Sequence, residues 1–466
     1  MKKLILLLLP VFWVNAASAQ NIKYEKSFQT ALAKAASQNK LIFLQISAPR
    51  PTVNVPQNVS FKSGLEEEDV AKKFNLSFIN YQVSISDTLT SRFRGKYQIQ
   101  IYPAYFFLDK NSNLIYRDDK NSSEGKRYLD MADAALKQFS GGKNLTDYDF
   151  QYKSGKYDAA SLKEYISKRE QLGIYDNAKL IDEYVNLLPI NSLNDYQTVL
   201  FILKAGPYAF GKTYNLAYTN HKIIDSIFKT EPHNDTWANN TRIINNTYRE
   251  AVTTKNNALI QQLVNFARSM YNVREYQKGV MYSTNLQLQY YLAVKDTANY
   301  LRQAGYFYDS YYMNISADSA KKLELAQRKN QLDMMNSGRK TIAADSMKKL
   351  MAKNGNKTVV KSEVFSATSS SLGVANELNN AAYSFYTTGT TNPNYLSKAI
   401  IWSRRSILFN PIFAYYDTLA HLLYRYGFYA EAEVNQNLAV DLAKKNAPQE
   451  AERMKKELEK IKKRTI

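Results

Sequence analysis

In the first 140 residues of the chain, segments with helical spacing of hydrophobic residues alternate with short strand-like apolar runs. Phe28, Leu32 and Ala35 have helical spacing, and the run LIFLQI that follows them is short and continuously apolar. Such a run is typical of a strand buried on both faces. Further helical and strand patterns follow as far as residue 139, namely LEEEDVAKKFNLSF, FINYQVSI, YPAYFFLD, LIYRD and KRYLDMADAALKQF. The alternation predicts an α/β domain with a central mixed sheet.

Helical periodicity dominates after residue 140. The sequence SGGKN at 140–144 is a predicted joint between the two regions. Near the C-terminus, helical patterns recur in pairs, and the small residues Ala399 and Ala432 are 33 positions apart. Because helices approach closely at small residues, this recurrence predicts stacked helix pairs, which form an α-solenoid.

Two polar segments complete the helical region. The stretch 337–371, with KNGNKT and SATSSS, is a predicted exposed insertion or flexible loop. The tail QEAERMKKELEKIKKR is a predicted final helix that caps the solenoid. Its charges suggest the i,i+4 pairs Glu452–Lys456 and Glu459–Lys463.

Residues 1–19 are typical of a secretory signal peptide. Lys2 and Lys3 precede an apolar run at 4–14, and Ala17-Ser18-Ala19 is a small-residue cleavage site before Gln20. The apolar run is too short to span a bilayer, and no later stretch reaches 18 apolar residues. We therefore expect an exported protein of the bacterial envelope, periplasmic or extracellular, with no membrane span.

The charge of the chain changes this picture little. Its formal net charge is +20, and residues 20–140 carry +5 of that. The excess is spread along the chain and no basic stripe stands out, so we expect no nucleic-acid partner.

Cysteine is absent from the chain. This absence excludes thiol nucleophiles, cysteine-ligated metals and thiol–disulfide exchange.

Residues 20–140 resemble a secreted thioredoxin-like family. The resemblance rests on the helix pattern from Ala31 to Lys40, the strand from Leu41, Val70 and Phe78 before the second strand, and Tyr102-Pro103 before the third. It implies a thioredoxin fold in which Pro103 is the cis-proline that faces the redox loop. A trans proline that opens a strand is the alternative.

The same resemblance implies that the loop after the first strand no longer carries out thiol–disulfide exchange. The family has two cysteines after the first strand, and Pro51 and Asn54 occupy those places here. Gln45 stands where thioredoxins often keep a buried carboxylate, and an amide cannot titrate. These three residues are degenerate redox-loop positions in a redox-inactive domain.

Peptide docking does not require sulfur. In thioredoxin-like proteins the backbone before the cis-proline pairs with an extended partner chain, which makes Tyr102 and Pro103 candidate docking residues. The alternative is that the domain only packs against the rest of the chain.

Residues 141–466 resemble tetratricopeptide proteins. Leu419, Ala420 and Leu423 fit the first helix of a repeat, and Gly427 with Tyr429 fits its turn. The spacing of 33 residues is close to the 34-residue repeat. The predicted fold class is therefore an α/β thioredoxin-like domain followed by an all-α tetratricopeptide-like solenoid.

Tyrosine is abundant, with 36 residues. It is favoured in binding surfaces because its large ring orders at little entropic cost. It also fills the space between solenoid helices, and the sequence leaves both interpretations open.

No arrangement of residues that supports catalysis is visible in the sequence. His221, His233 and His421 are isolated, and no HExxH motif, phosphate-binding loop or nucleophile elbow is present. We expect no catalytic residues, no cofactor and no metal. The leading hypothesis is a non-enzymatic exported protein that binds or scaffolds protein or peptide partners. The alternative is a thiol-independent chaperone or enzyme-accessory protein of the cell envelope. An enzyme site assembled across helices stays open, and no oligomeric state follows from the sequence.

Overall fold

The chain divides into two compact units. The structure, a computed structural model, describes residues 21–47, 63–97, 99, 102–119, 121–141, 143–336 and 373–466. Among these, the first unit ends at Ile174 and the second begins at Tyr175. The first contains a small mixed sheet and the second is helical. The expected order, an α/β region followed by an all-helical region, is confirmed at this level. The proposed boundary at 140–141 lies inside the first unit.

In the described part of the first unit, four strands form a sheet, namely β1 (Leu41–Ser47), β2 (Phe78–Ser84), β3 (Ala104–Leu108) and β4 (Leu114–Asp118). Their spatial order is β2-β1-β3-β4. β1 runs parallel to β2 and antiparallel to β3, and β4 returns antiparallel to β3. The register places Gln45 of β1 opposite Gln82 of β2 and Tyr105 of β3.

The described part of the first unit has six α-helices, namely α1 (Phe28–Gln38), α2 (Glu68–Ser77), α3 (Thr88–Tyr97), α4 (Gly125–Ser140), α5 (Leu145–Lys153) and α6 (Ala159–Gln171). A single 3-10 turn, Gly64–Glu66, precedes α2. The sequence patterns did not predict α3. Its apolar residues Leu89, Phe93 and Tyr97 do have four-residue spacing, but Arg92 and Arg94 obscure the apolar face.

The core of the first unit forms around β1. Ile42, Leu44 and Ile46 are fully buried on one face of this strand, and Leu41 and Phe43 on the other. The Phe43 ring lies 4.7 Å from the Phe74 ring of α2 and 5.3 Å from the Phe107 ring of β3, centroid to centroid. Because both faces are covered, the strand is continuously apolar, as its sequence indicates.

The N-terminal segment covers part of the free edge of β2. Tyr24 forms an isolated parallel bridge with Asn80, and the Glu25 N–H donates to the Asn80 carbonyl at 2.8 Å. The Asn75 side chain accepts from the Lys23 N–H at 2.8 Å. It also donates to the Asn21 carbonyl at 3.0 Å. Side-chain amides therefore hold an extended segment against the sheet.

The described part of the second unit has fourteen α-helices. They are α7 (Ala178–Asn186), α8 (Tyr196–Ala205), α9 (Lys212–Ala217), α10 (His221–Thr230), α11 (His233–Thr254), α12 (Asn257–Ser269), α13 (Tyr276–Ala293), α14 (Thr297–Tyr311), α15 (Ala317–Asn336), α16 (Val374–Thr387), α17 (Pro393–Phe409), α18 (Phe413–Tyr426), α19 (Tyr429–Asn446) and α20 (Pro448–Lys463). Two 3-10 turns, Ile190–Asn194 and Val273–Glu275, interrupt them. None of the helices described in either unit is long and apolar enough to cross a membrane.

Small buried residues mark the packing of the last helices. Ala399 of α17, Ala420 of α18 and Ala432 of α19 are all fully buried. Gly427 ends α18 with a backbone φ of +101°, and α19 begins two residues later. The positions that the sequence analysis assigned to close helix contacts therefore lie in the interior.

The final helix α20 packs through one apolar face, on which Ala451, Met454 and Ile461 are buried. Of the two expected ion pairs, Glu459–Lys463 forms at 3.8 Å. The predicted pair of Glu452 with Lys456 is wrong, because Glu452 pairs with Lys455 instead. Both lysines lie within one turn of this carboxylate, so the sequence alone does not select between them.

Candidate functional site

Gln45 lies in the middle of β1, where its side chain is half-buried. Its amide oxygen accepts a hydrogen bond from the Tyr24 hydroxyl at 2.7 Å. The neighbouring β3 residue, Tyr105, is fully buried and its hydroxyl lies 3.3 Å from that of Tyr128. Burial, followed by the charge of Tyr128, raises the pKa of Tyr105 above its usual range. Neutral hydrogen-bonding groups therefore occupy this part of the sheet.

The two other degenerate redox-loop positions, Pro51 and Asn54, lie outside the described residues. Their assignment to a thioredoxin-type loop stays a prediction. Thiol–disulfide exchange is excluded regardless of the loop geometry, because the chain has no cysteine.

Tyr102 and Pro103 directly precede β3, and the peptide bond between them is cis, as the sequence resemblance implied. Tyr102 is buried and Pro103 is half-buried. β3 then pairs Ala104 with Ile46, one residue before the end of β1. The sheet therefore places Pro103 near the point where the chain leaves β1 for the predicted loop.

A second candidate site, which the sequence analysis missed, lies between α5 and α6. Four tyrosines line a concave surface there together with Gln151, Ser161 and Leu162; we call it the tyrosine trough, and its rings belong to Tyr148, Tyr152, Tyr157 and Tyr165. The Tyr148 and Tyr165 rings stack at 5.9 Å with 11° between their planes. Tyr152 lies 5.8 Å from Tyr165 and 5.3 Å from Tyr157. The only visible sequence signal is the i,i+4 spacing of Tyr148 and Tyr152.

Carboxylates hold two of the trough tyrosines in place. The Tyr148 hydroxyl donates to Glu164 at 3.2 Å, and the Tyr165 hydroxyl donates to Asp149. Burial, followed by the bond to Asp149, raises the pKa of Tyr165 to about 12. Both hydroxyls therefore stay protonated at neutral pH, and each ring is fixed at its outer end.

Cations flank the same rings. Lys143 Nζ lies 5.5 Å from the centroid of Tyr148, and the Arg169 guanidinium lies 5.5 Å from that of Tyr165. A cation over an aromatic face is held by the quadrupole of the ring. The chain thus supplies its own cations to this cluster.

Of the three histidines singled out in the sequence, His421 is buried in the second unit. Its Nδ1 lies 2.8 Å from the Asp417 carbonyl, and its Nε2 lies 3.3 Å from Glu457 of α20. Its ring contacts Tyr386 of α16 edge-on at 5.3 Å. These contacts join three helices, which is a packing role. Among the described residues, no group of three or more His, Asp or Glu side chains is placed to hold a metal ion.

Comparison with known proteins assigns no function to these residues. No family model, no curated protein and no solved structure matches the chain. The resemblances to thioredoxin-like and tetratricopeptide proteins therefore rest on the sequence patterns and on the arrangement of the elements.

Proposed function

We propose that the chain is a non-enzymatic exported protein that binds or scaffolds other proteins, built from a redox-inactive thioredoxin-like domain and a tetratricopeptide-like helical region. The observation that carries the proposal is the sheet order β2-β1-β3-β4, with β1 and β2 parallel and a β3–β4 hairpin, in a chain without cysteine. A thioredoxin-type sheet without thiols keeps the backbone segment before β3 for docking and lacks the reactive group.

The helical region supports the same proposal. The helices α16 to α19 follow one another as two pairs, and equivalent alanines 33 residues apart are fully buried. Stacked helix pairs of this kind create extended surfaces that bind proteins. Two architectures associated with recognition are thus joined in one chain.

The proposed docking mode in the first unit is strand addition. An extended partner segment would pair with backbone groups at Tyr102 and Pro103, beside the end of β1. Main-chain hydrogen bonds supply the affinity in such complexes, and side-chain pockets supply the specificity.

A peptide-binding experiment tests this proposal. Labelled peptides selected on the intact chain from a random 12-residue library are titrated against wild type, Pro103→Ala and the control Pro448→Ala, which lies at the start of α20. We expect saturable binding that Pro103→Ala weakens and Pro448→Ala leaves unchanged, with circular dichroism confirming that both variants fold. The absence of any selected peptide, or equal binding by both variants, would contradict the proposal.

Export has its own test. We propose that the first 19 residues are removed, so N-terminal sequencing of the protein recovered from its native envelope should begin at Gln20. Recovery with the N-terminus intact would contradict this part of the proposal.

The alternative function, a thiol-independent chaperone, draws on exposed apolar side chains. Val273 is 93% exposed, Phe150 76% and Leu408 67%. A chaperone would suppress the aggregation of a heat-denatured client at near-stoichiometric ratios. A scaffold with a single docking segment would not suppress aggregation in this way, so a light-scattering assay separates the two functions.

A further inference from the structure

Two of the helices of the second unit, α17 and α19, expose apolar side chains on their outer faces. On α17, Ile401 is 53% exposed and Leu408 is 67% exposed. On α19, Val434 is 60% exposed and Leu438 is 43% exposed. Residues four or seven positions apart lie on the same face of a helix. Each pair of side chains therefore forms an apolar stripe along its helix.

An ion pair joins the two stripes. Arg404 lies between Ile401 and Leu408 on α17, and Glu431 lies three residues before Val434 on α19. The Arg404 guanidinium approaches the Glu431 carboxylate at 3.1 Å. Because the two side chains touch, the stripes are neighbours and form one surface with a charged pair among aliphatic side chains. We call it the α17–α19 face, and it comprises Ile401, Arg404, Leu408, Glu431, Val434 and Leu438.

The position of the charged pair distinguishes a protein partner from a lipid surface. Exposed apolar patches with polar groups around them mark sites that bind proteins or membranes. Here Arg404 lies within the apolar stripe of α17, between its two aliphatic side chains. Insertion of the face into lipid would bury the charges of the pair, which is costly unless further partners are supplied. A protein that supplies opposite charges at this place is therefore favoured.

The charges of the face match those of a second copy of the chain. The stripe on α17 carries the basic residue Arg404, and the stripe on α19 carries the acidic residue Glu431. A two-fold axis that runs between the stripes places the basic stripe of each copy on the acidic stripe of the other. Both side chains can make this contact, because they are 58% and 56% exposed and their internal bond uses one nitrogen of a guanidinium with five N–H donors.

We infer that the α17–α19 face is the interface of a two-fold homodimer. Arg404 of each copy lies opposite Glu431 of the other, and the aliphatic side chains of both copies pack around these two pairs. The charges set the register of the two copies, and the burial of apolar surface stabilises the dimer. This inference does not rest on the proposed function, because the face shares no residue with the docking segment at Tyr102 and Pro103.

Sedimentation velocity of the intact chain tests the dimer. Wild type is compared between about 1 and 100 μM with Arg404→Glu, Glu431→Arg and the control Arg249→Glu. The control breaks the Arg249–Asp176 pair, which also spans 3.1 Å and is also partly exposed. We expect wild type to dimerise reversibly and Arg249→Glu to behave as wild type. Each charge reversal on the face should weaken dimerisation at least about tenfold, since it places like charges opposite each other twice in the dimer.

Mixing the two charge-reversal variants separates a contact between copies from the ion pair within one copy. In an equimolar mixture of Arg404→Glu and Glu431→Arg, each changed residue meets an opposite charge on the other chain. Mixed dimers should therefore form as readily as wild-type dimers, although the internal pair stays broken in both chains. Circular dichroism confirms that each variant folds. Failure of the mixture to dimerise, or equal dimerisation by wild type and both single variants, would overturn the inference.

A cross-linking measurement needs no change of charge. The chain has no cysteine, so an introduced cysteine reports on one position. Chains with Leu408→Cys and Leu438→Cys are mixed and treated with a short bismaleimide, and Val273→Cys, at a residue 93% exposed, is the control. Covalent dimers in the mixture and none in the control support the inference, and equal yields in both overturn it.

The dimer and the docking segment can fail separately. A wild type that stays monomeric over the whole concentration range would assign the α17–α19 face to a different partner and overturn the inference. If library peptides still bind in a Pro103-dependent way in that case, the proposed function stands.

Discussion

Trp402 shows how one polar atom is accommodated in a buried side chain. The indole is fully buried, with the Phe385 ring 4.8 Å and the Tyr308 ring 5.3 Å from it. Its Nε1–H donates to Asp309 at 2.8 Å, and the same carboxylate pairs with Lys398. The hydrogen bond removes the cost of burying an unpaired donor, so the whole ring contributes to packing.

Trp402→Ala should therefore destabilise the second unit strongly. Truncating a buried large aromatic costs about 3–5 kcal/mol, since it removes apolar burial and leaves a cavity. The adjacent residue Ile401 is 53% exposed, and Ile401→Ala is the matched control, with an expected change below about 1 kcal/mol. Urea unfolding followed by circular dichroism measures both, and equal effects of the two substitutions would contradict this account.

The pH dependence of stability should carry a contribution from Tyr308. Burial, followed by the charges of Tyr300 and Glu377, raises the pKa of Tyr308 well above the ordinary value of 10.0. Below about pH 10 the Tyr308 hydroxyl is protonated in both the folded and the unfolded state, so Tyr308 makes its full contribution to the free energy of unfolding. Above it the unfolded state loses the proton first, and the free energy of unfolding should fall by about 1.4 kcal/mol per pH unit for this group.

Tyr308→Phe isolates that contribution. Between about pH 7 and 9 the difference in unfolding free energy between wild type and the variant should be constant, because neither state titrates at this position there. Above about pH 10 wild type should lose stability more steeply than the variant. Parallel curves across the whole range would show that Tyr308 ionises as easily in the folded protein as in the unfolded chain.

Single positions differ in how far the sequence predicts them. Gln45 could be placed on β1 because the apolar run around it is unambiguous. The pairing of Tyr148 with Tyr165 could not be predicted, because it depends on the turn that joins α5 to α6. Spacing along one helix indicates a shared face but does not identify the helix that packs there.

At the scale of elements, the turn between α18 and α19 depends on the backbone of Gly427. Its φ of +101° is accessible to glycine and strained for other residues. An added Cβ would meet no atom within 4 Å, so the cost of a substitution lies in the backbone alone.

Gly427→Ala should lower the stability of the second unit by about 1–2 kcal/mol. Gly305→Ala is the control, because Gly305 lies inside α14 and its nearest neighbour would be the Lys398 side chain at 3.6 Å. Replacing a glycine inside a helix by alanine should leave stability unchanged or raise it by about 0.5–1 kcal/mol. Thermal unfolding measures both variants, and a loss at Gly305 with none at Gly427 would reverse this interpretation.

Whether a segment is a helix or a strand was easier to predict than how many helices the chain forms. Each strand described in the first unit corresponds to a run recognised in the sequence, because apolar runs bounded by polar turns are a strong signal. The helix α3 was missed because Arg92 and Arg94 dilute its apolar face. The sequence also does not separate the helices α5 and α6 from those of the second unit, since membership of a unit depends on tertiary contacts rather than on periodicity.

For the whole molecule, the excess of positive charge should act on stability. The formal net charge is +20, and like charges repel more strongly in the compact state than in the expanded one. Raising the NaCl concentration from about 0.01 M to 0.15 M shortens the Debye length from about 30 Å to about 8 Å. We therefore expect the midpoint of thermal unfolding to rise over this range.

A charge-reduced chain is the control for that effect. Lys229, Lys321 and Lys322 are exposed, and replacing all three by glutamine should reduce the salt dependence while keeping the fold. A midpoint that falls with added salt would mean that attractive pairs outweigh the general repulsion.

The extended segment that lies against β2 has a consequence for shortened forms of the chain. Asn21 to Glu25 occupy part of an edge whose backbone groups would otherwise be open to pairing. An uncovered strand edge is a template for association with other chains and a starting point for aggregation. A shortened chain that starts after Glu25 would lack this edge-covering segment but keep every residue of the sheet. We therefore expect such a chain to fold but to be less soluble than the full chain.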